Sequence, residues 1–462
     1  MAEAPKFGTS GLRGLATALT DELCAAYAQA FTEMSGARRV LIGRDLRDSS
    51  PRIQAAVAAG VHRGGAEAVD CGVLPTPALA LAAGAEEAAA IMVTGSHIPG
   101  DRNGLKFYRG ADEIGKDDEA PLHARVAEIG AAPLGGVPEM DVLDAAEAFV
   151  ERYLAFFGLG ALSGLNVGVW EHSSVARDLL PAILEGLGAR VVRLDRSETF
   201  VAVDTEAVAG EVRERLGGWT REHGLDAVVS TDGDADRPLL TDETGAMVQG
   251  DILGTITSRL LEVEAVATPV SSNTMIDRIG LDRVVRTKIG SPYVIEVMEA
   301  LCGEGLRRVA GFEPNGGYLL GFEAERQGRR LSALLTRDFA LPILAALVDA
   351  RERGGSVSAL VADLPDRRTA TDRLQDIPVE RSRALVNEVL TGDSSVLPDA
   401  LGGPVQIDTT DGARLTFAGG EIVTIRPSGN APELRAYVEA DGMARASALL
   451  SDVLARLRDR LG

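Results

Sequence analysis

Residues 165–194 read LNVGVWEHSSVARDLLPAILEGLGARVVRL. LNVGVW is an apolar run of strand length, SSVARDLLPAILEGLG has the spacing of a helix, and ARVVRL is a second strand. Strand, helix, strand at this spacing predicts a βαβ unit on a parallel sheet. The same order occurs earlier. Arg38–Asp45 (RRVLIGRD) reads as a buried strand, 51–64 as a helix with Ser49 or Ser50 at its N-cap, and Ala66–Cys71 as a strand. A third, fainter copy begins at Ala265 with AVATPV, then TMIDRIG and DRVVRT. Three such segments predict three related α/β domains and an internal duplication. Residues 405–425 hold two short strand-like pieces around the turns DG and AGG. LRAYVE at 434–439 is another strand, and 443–461 is an amphipathic helix, so the chain closes with an α+β module. The charged stretch 363–373 is expected to be the linker before it. A length of 462 residues suits three or four domains.

Composition narrows the function. Lys plus Arg is 47 and Asp plus Glu is 68, for a net charge of −21. Such an acidic chain is a poor binder of nucleic-acid phosphates. The lysines are Lys6, Lys106, Lys116 and Lys288 alone. Cys24, Cys71 and Cys302 are widely spaced and odd in number, which argues against a disulfide framework or a zinc ribbon and for a reducing cytoplasm. MAEAPKFGTS has no basic segment followed by an apolar core, so no signal peptide is expected. No apolar run reaches 18 residues, so no membrane span is expected.

Five short stretches carry chemistry. DGDADR at 232–237 follows the strand LDAVVS and places Asp232, Asp234 and Asp236 at alternate positions, a source of hard oxygen ligands for Mg²⁺ or Ca²⁺. An EF-hand is disfavoured, because Arg237 occupies the position that needs Gly. TGSHIPGDRNGLKFY at 94–108 puts Ser96 at the C-terminal end of a strand, where α/β sheets bind ligands. Ser96 and His97 are adjacent and expected to point apart, so no Ser–His hydrolase pair is inferred. FGTSGLRG at 7–14 offers small residues for an anion nest, or simply a flexible N-terminal loop. GFEPNGGYLLG at 311–321 holds Glu313 and Asn315 in a Gly-rich turn suited to sugar hydroxyls. RPSGNAPELR at 426–435 gathers donors from Arg426, Ser428, Gly429 and Asn430 for a phosphate.

In this order along the chain, the five motifs resemble the α-D-phosphohexomutase family, and most closely its bacterial phosphomannomutase and phosphoglucomutase members. The resemblance implies three related α/β domains with mixed sheets and a C-terminal α+β domain around a central cleft. It implies domains at 1–140 (phosphoserine loop), 141–247 (metal loop), 248–358 (sugar loop) and 359–462 (phosphate loop). Ser96 matches the phosphoserine, in a loop that usually reads TASHNP. Asp232, Asp234 and Asp236 match the Mg²⁺ ligands, with a phosphoserine oxygen completing the site. Arg13, Lys106 and Arg237 match basic residues near the reaction, and Lys288 falls in a specificity loop. Glu313 and Asn315 match the sugar loop, and Arg426, Ser428, Gly429 and Asn430 the phosphate clamp.

Two departures stand out. Many relatives carry Ser and His in a sugar loop such as GEMSGH, where this chain has Asn315 and Gly317, so the acid–base role of that His does not carry over. Lys106, Arg13 or water would have to assist. The phosphate loop, often RPSGTEP, here has Asn430 and Ala431. The implied activity is exchange of mannose 1-phosphate and mannose 6-phosphate through phospho-Ser96 and a hexose 1,6-bisphosphate. Glucose or dual specificity is the alternative, with glucosamine behind them. A metal-dependent sugar phosphatase or a silent sugar-phosphate binder are readings of other classes. The implied partner is a phosphorylated hexose, with the protein a monomer or homodimer.

Overall fold

The computed structural model describes residues 4–130, 136, 138–428 and 432–461. One plan occurs three times. In the first sheet the parallel strands Glu67–Val73, Arg39–Arg44 and Ala89–Val93 are followed by antiparallel Arg102–Arg109. In the second, Arg190–Arg196, Asn166–His172 and Ala227–Thr231 are followed by antiparallel Pro238–Thr241. In the third, Arg283–Thr287, Ala265–Pro269 and Val309–Phe312 are followed by antiparallel Tyr318–Leu320. Each sheet therefore has its second strand outside its first, its third strand on the other side, and a hairpin from third to fourth. The duplication read in the sequence is a duplication of topology.

The strands form where apolar runs allow burial on both faces: Ala89–Val93 and Ala227–Thr231 are buried throughout. The first crossover helix runs Ser50–Arg63 after Ser49. The N-cap Ser49 makes no side-chain cap, and its hydroxyl instead accepts from Asn103 Nδ2 at 2.8 Å. The second crossover helix is shorter than expected, Leu179–Gly186, and the third is a 3₁₀ turn at Thr274–Arg278.

The fourth sheet is antiparallel, in the order Arg368–Leu374, Leu434–Ala440, Ile422–Pro427, Ala413–Thr416, Gln406–Asp408. The region 405–427 thus holds three strands rather than two. The expected linker at 363–373 is a linker only at its start, since Arg368–Leu374 pairs along its whole length with Leu434–Ala440. The helix Met443–Leu461 packs its apolar face on this sheet. One apolar cluster runs from Leu41 through Phe149 and Phe312 to Leu364, joining the first three sheets, whereas the fourth has its own core from Ala370 to Leu461. Among the described residues no helix is long and apolar enough to cross a membrane.

Candidate active site

The third-to-fourth-strand hairpin of each repeat carries one of the motifs. Residues 94–101 hold Ser96, 232–237 the aspartates, and 313–317 the Glu–Asn turn. Equivalent hairpins of three domains point at one place, as strand C-termini of open α/β sheets do. FGTSGLRG is not a flexible loop. It is a hairpin, Lys6–Phe7 with Leu12–Leu15, which pairs onto Arg102–Arg109 and delivers Ser10 and Arg13 to the same place.

Ser96 is buried and has φ +52°, an uncommon conformation for a residue with a Cβ. Its hydroxyl donates to Asp232 Oδ2 at 2.6 Å. His97 does not point away as expected: its Nδ1 is 3.3 Å from Ser96 Oγ. Burial, and then the charge of Arg237, push its pKa well below the ordinary value, so the ring is neutral at pH 7. The loop is held from behind by Arg47. That buried guanidinium donates to the carbonyls of Ser96 at 2.8 Å, Ile98 at 2.6 Å, Pro99 at 2.6 Å and Arg102 at 2.9 Å, and pairs with Asp45 at 3.1 Å. Gly95, at the position where the loop TASHNP has Ala, lies against it, where a Cβ would come 2.4 Å from Arg47 Cζ.

Asp232, Asp234 and Asp236 are fully buried, and one ligand oxygen from each lies within 4.8 Å of the others. Burial and then the neighbouring charges of Asp234 and Asp236 push Asp232 well above the usual carboxylate range. Burial also acts on Asp234 and Asp236, but Lys106 outweighs it on Asp234, and Arg337 with Lys106 and Arg237 on Asp236, so both are lowered. Lys106 Nζ donates to Asp234 Oδ2 and Asp236 Oδ2, each at 2.6 Å, and Thr76 Oγ1 donates to Asp234 Oδ2 at 2.6 Å. Oδ1 of Asp234 and Oδ1 of Asp236 are buried without a hydrogen-bond partner. Such atoms are costly unless a ligand takes them. Two orphaned oxygens beside a carboxyl that resists ionisation form an all-oxygen set suited to a hard divalent cation. The EF-hand alternative is closed: a strand precedes the loop, and Glu243 bonds Ser358 instead.

A cavity of about 410 Å³ opens beside Ser96. Arg13, Ser96, His97, Arg237, Arg337 and Ser428 are on its wall, as are Arg373 and Arg435. Arg237 is 3.6 Å from Asp236. Glu313 and Asn315 are buried but are not among the wall residues. Glu313 Oε2 is 3.0 Å from Arg337 Nη1, and Asn315 Oδ1 accepts from the Gly317 N–H at 3.0 Å. Lys288 is exposed and Arg426 is buried, both off the wall, and Asp411 joins Arg426 to the residue after Lys288. Asp411 accepts from the Ile289 N–H at 3.0 Å and pairs with Arg426 Nε at 3.3 Å. Gly429 and Asn430 lie outside the described residues. Arg337, Arg47 and Thr76 were not read from the sequence, because Asp236, Glu313, the carbonyls of the Ser96 loop and Asp234, which they bond, are distant in the chain.

These groups come together where four domains meet, and the chain belongs to the phosphoglucomutase/phosphomannomutase family. The family's alpha/beta/alpha domains I, II and III match residues 4–132, 147–245 and 242–367, and its C-terminal domain matches 364–456. The chain is 46% identical to a phosphomannomutase of Sinorhizobium fredii, with 99% of each chain covered. It is 43% identical to a phosphomannomutase of Salmonella muenchen, covering 99% of this chain and 96% of that one. A crystal structure of a phosphoglucomutase/phosphomannomutase family protein from Burkholderia thailandensis has the same fold, with a TM-score of 0.76 at 21% identity over 98% and 97% of the two chains.

Proposed function

We propose that the protein is a phosphomannomutase, which exchanges mannose 1-phosphate and mannose 6-phosphate through phospho-Ser96 and a bound hexose 1,6-bisphosphate. The observation that carries this reading is that Ser96, 2.6 Å from Asp232, shares one cavity with Ser428 and Arg435 of the fourth domain. A sugar phosphatase needs one anion site. A mutase needs a second, for the phosphate that is not being transferred.

The free hydroxyl of the hexose phosphate attacks the phosphoryl group on Ser96. The bond to Ser96 Oγ breaks as the bond to the sugar oxygen forms, and the bisphosphate then turns over to return its other phosphoryl group. Asp232, Asp234 and Asp236 would hold Mg²⁺ with a phosphoserine oxygen, and the ion supplies positive charge against the transferring phosphoryl oxygens. Arg13 and Arg237 add fixed charge from the wall. Lys106 is engaged by two carboxylates and arginine keeps its proton, so neither is free to accept the hydroxyl proton. His97, neutral and 3.3 Å from Ser96 Oγ, stands on the leaving-group side of an in-line transfer, in place to exchange a proton with Ser96 Oγ, which leaves water to accept the proton of the attacking hydroxyl. Lys288, Arg426, Ser428, Gly429 and Asn430 serve the distal phosphate, and Glu313 with Asn315 the sugar. Free Cys24, Cys71 and Cys302 suit a cytoplasmic protein.

The test is a side-by-side assay of mannose, glucose and glucosamine 1-phosphates, with mass spectrometry of the Ser96 peptide. Turning the bisphosphate end for end leaves O3 and O4 in nearly the same region, so a grip on those hydroxyls does not read C2. Measurable glucose 1-phosphate turnover beside mannose 1-phosphate turnover is therefore expected. Steady phosphate release without an isomerised sugar, or full activity in Ser96→Ala, would reject the mutase.

A further inference from the structure

Gly317 stands where many phosphohexomutases have a histidine, and another side chain has taken the space. A Cβ on Gly317 would come 2.6 Å from Cδ, 2.7 Å from Cγ and 2.9 Å from Cβ of Arg337. Gly317 is not among the positive-φ glycines, so its backbone makes no demand for glycine. The demand comes from the arginine lying across it.

Arg337 is 4% exposed. Its Nη2 and Nε donate to Asp236 Oδ2 at 2.6 and 3.0 Å, and its Nη1 donates to Glu313 Oε2 at 3.0 Å and Ser291 Oγ at 3.1 Å. Nη2 also reaches Ser10 Oγ at 3.5 Å. One planar fork thus ties the metal loop, the sugar loop and the N-terminal hairpin, which belong to three different sheets. Arg337 is on the cavity wall and Glu313 is not, so the sugar loop meets the cavity by way of this guanidinium.

An arginine does not exchange protons near neutral pH, so it cannot do acid–base work in place of an imidazole. It can fix geometry. Asp236 keeps Oδ1 free of hydrogen bonds while Oδ2 is held by Arg337 and Lys106, which is how an outer partner orients a metal ligand. The same fork fixes the Glu313 carboxylate. We propose that Arg337 is a positioning residue for phosphoryl transfer. It locks the sugar loop to the metal loop, and so sets the distance between the bound hexose and Ser96. This rests on the mutase reading above.

The experiment compares wild type, Arg337→Gln, Arg337→Lys, Gly317→Ala and the Arg337→Gln/Gly317→Ala double variant. It reads kcat and KM with mannose 1-phosphate, and Mg²⁺ affinity by titration calorimetry. Arg337→Gln should lower kcat/KM and weaken Mg²⁺ binding, each by about 10- to 100-fold. Arg337→Lys keeps the charge but loses the fork, and should stay nearer to the Gln variant than to wild type. Gly317→Ala leaves the charge in place and displaces the side chain, so it should fall in the same direction. The double variant should be no worse than Arg337→Gln. Wild-type kcat, KM and Mg²⁺ affinity in Arg337→Gln or in Gly317→Ala, or additive losses in the double variant, would overturn the proposal. If Arg337→Gln does not fold, Gly317→Ala decides alone. A wild type without mutase activity would reject the functional reading instead, and the calorimetry would still test the hold of Arg337 on the metal loop.

Discussion

Arg47 gives its guanidinium to four carbonyls and one carboxylate, and with them it sets the shape of the loop that presents Ser96. Arg47→Met would leave buried Asp45 with its hydrogen bonds from Ser50, Thr94 and Gly95 but without its cationic partner, a loss of about 3–5 kcal/mol for a buried pair. A clearly lower melting temperature and faster hydrogen exchange over residues 94–103 are the expected outcome, and an unchanged melt would contradict this role. His172 behaves differently. Its Nε2 donates to the Thr231 carbonyl at 3.0 Å, and burial pushes its pKa down to about 4. The unfolded chain then takes up a proton below pH 6.5 that the folded chain refuses. Stability of roughly 3 kcal/mol is present above pH 6.5 and is lost as pH falls toward 4. The melting temperature of His172→Gln should therefore depend less on pH between 7 and 5 than that of wild type, and parallel curves would exclude the mechanism. Ser96 and the three aspartates were legible as residues because their spacing is local. Arg337 was not, because Gly317, which it covers, is in a turn 20 residues away in the chain, and only the fold brings them together.

Among elements, the hairpin between third and fourth strands recurs, and the proposed function uses it once for the nucleophile, once for metal and once for sugar. The metal hairpin makes a direct prediction. Three carboxylates held this close favour a cation, and a ligand that binds only the folded state adds about 2.7 kcal/mol at 100 times its Kd. Mg²⁺ should raise the melting temperature, and Asp234→Asn should remove most of that increment and lower turnover. A chelator should abolish activity, and chelator-resistant turnover would be incompatible with this site. The first two βαβ units were readable from apolar runs and helix spacing. The third was faint because its crossover is five residues of 3₁₀ helix, too short for periodicity. Arg368–Leu374 looked like a linker because it is rich in charge, yet Arg373 pairs with Asp204 at 3.4 Å and Glu433 at 3.5 Å. Composition cannot reveal charges that are satisfied across domains. Gln406–Asp408 escaped notice as an edge strand, largely exposed and without an apolar alternation.

For the whole molecule, the separate core of the fourth domain is the feature with most consequence for binding. Arg426 and the Lys288 loop meet at Asp411, off the cavity wall, so in the proposed reading a distal phosphate held by Arg426 competes with that carboxylate. A charged hydrogen bond of this kind is worth about 1.5–3 kcal/mol, or roughly 10- to 150-fold. Because the distal phosphate is bound alike in ground and transition states, Arg426→Ala should raise KM by that factor and leave kcat nearly unchanged. A fall in kcat alone would place Arg426 at the chemistry. The four-domain plan was legible as a run of motifs, but the cleft was not, since no local pattern encodes how sheets dock. The threefold hairpin also governs the order of events during renaturation. Each sheet completes its own hairpin, but no sheet owns the catalytic centre, so the last productive event is docking rather than strand pairing. Docking is slow relative to secondary structure. After dilution from denaturant, far-ultraviolet ellipticity should recover before catalysis does, and the interval between them times the moment when three domains of one topology become a single enzyme.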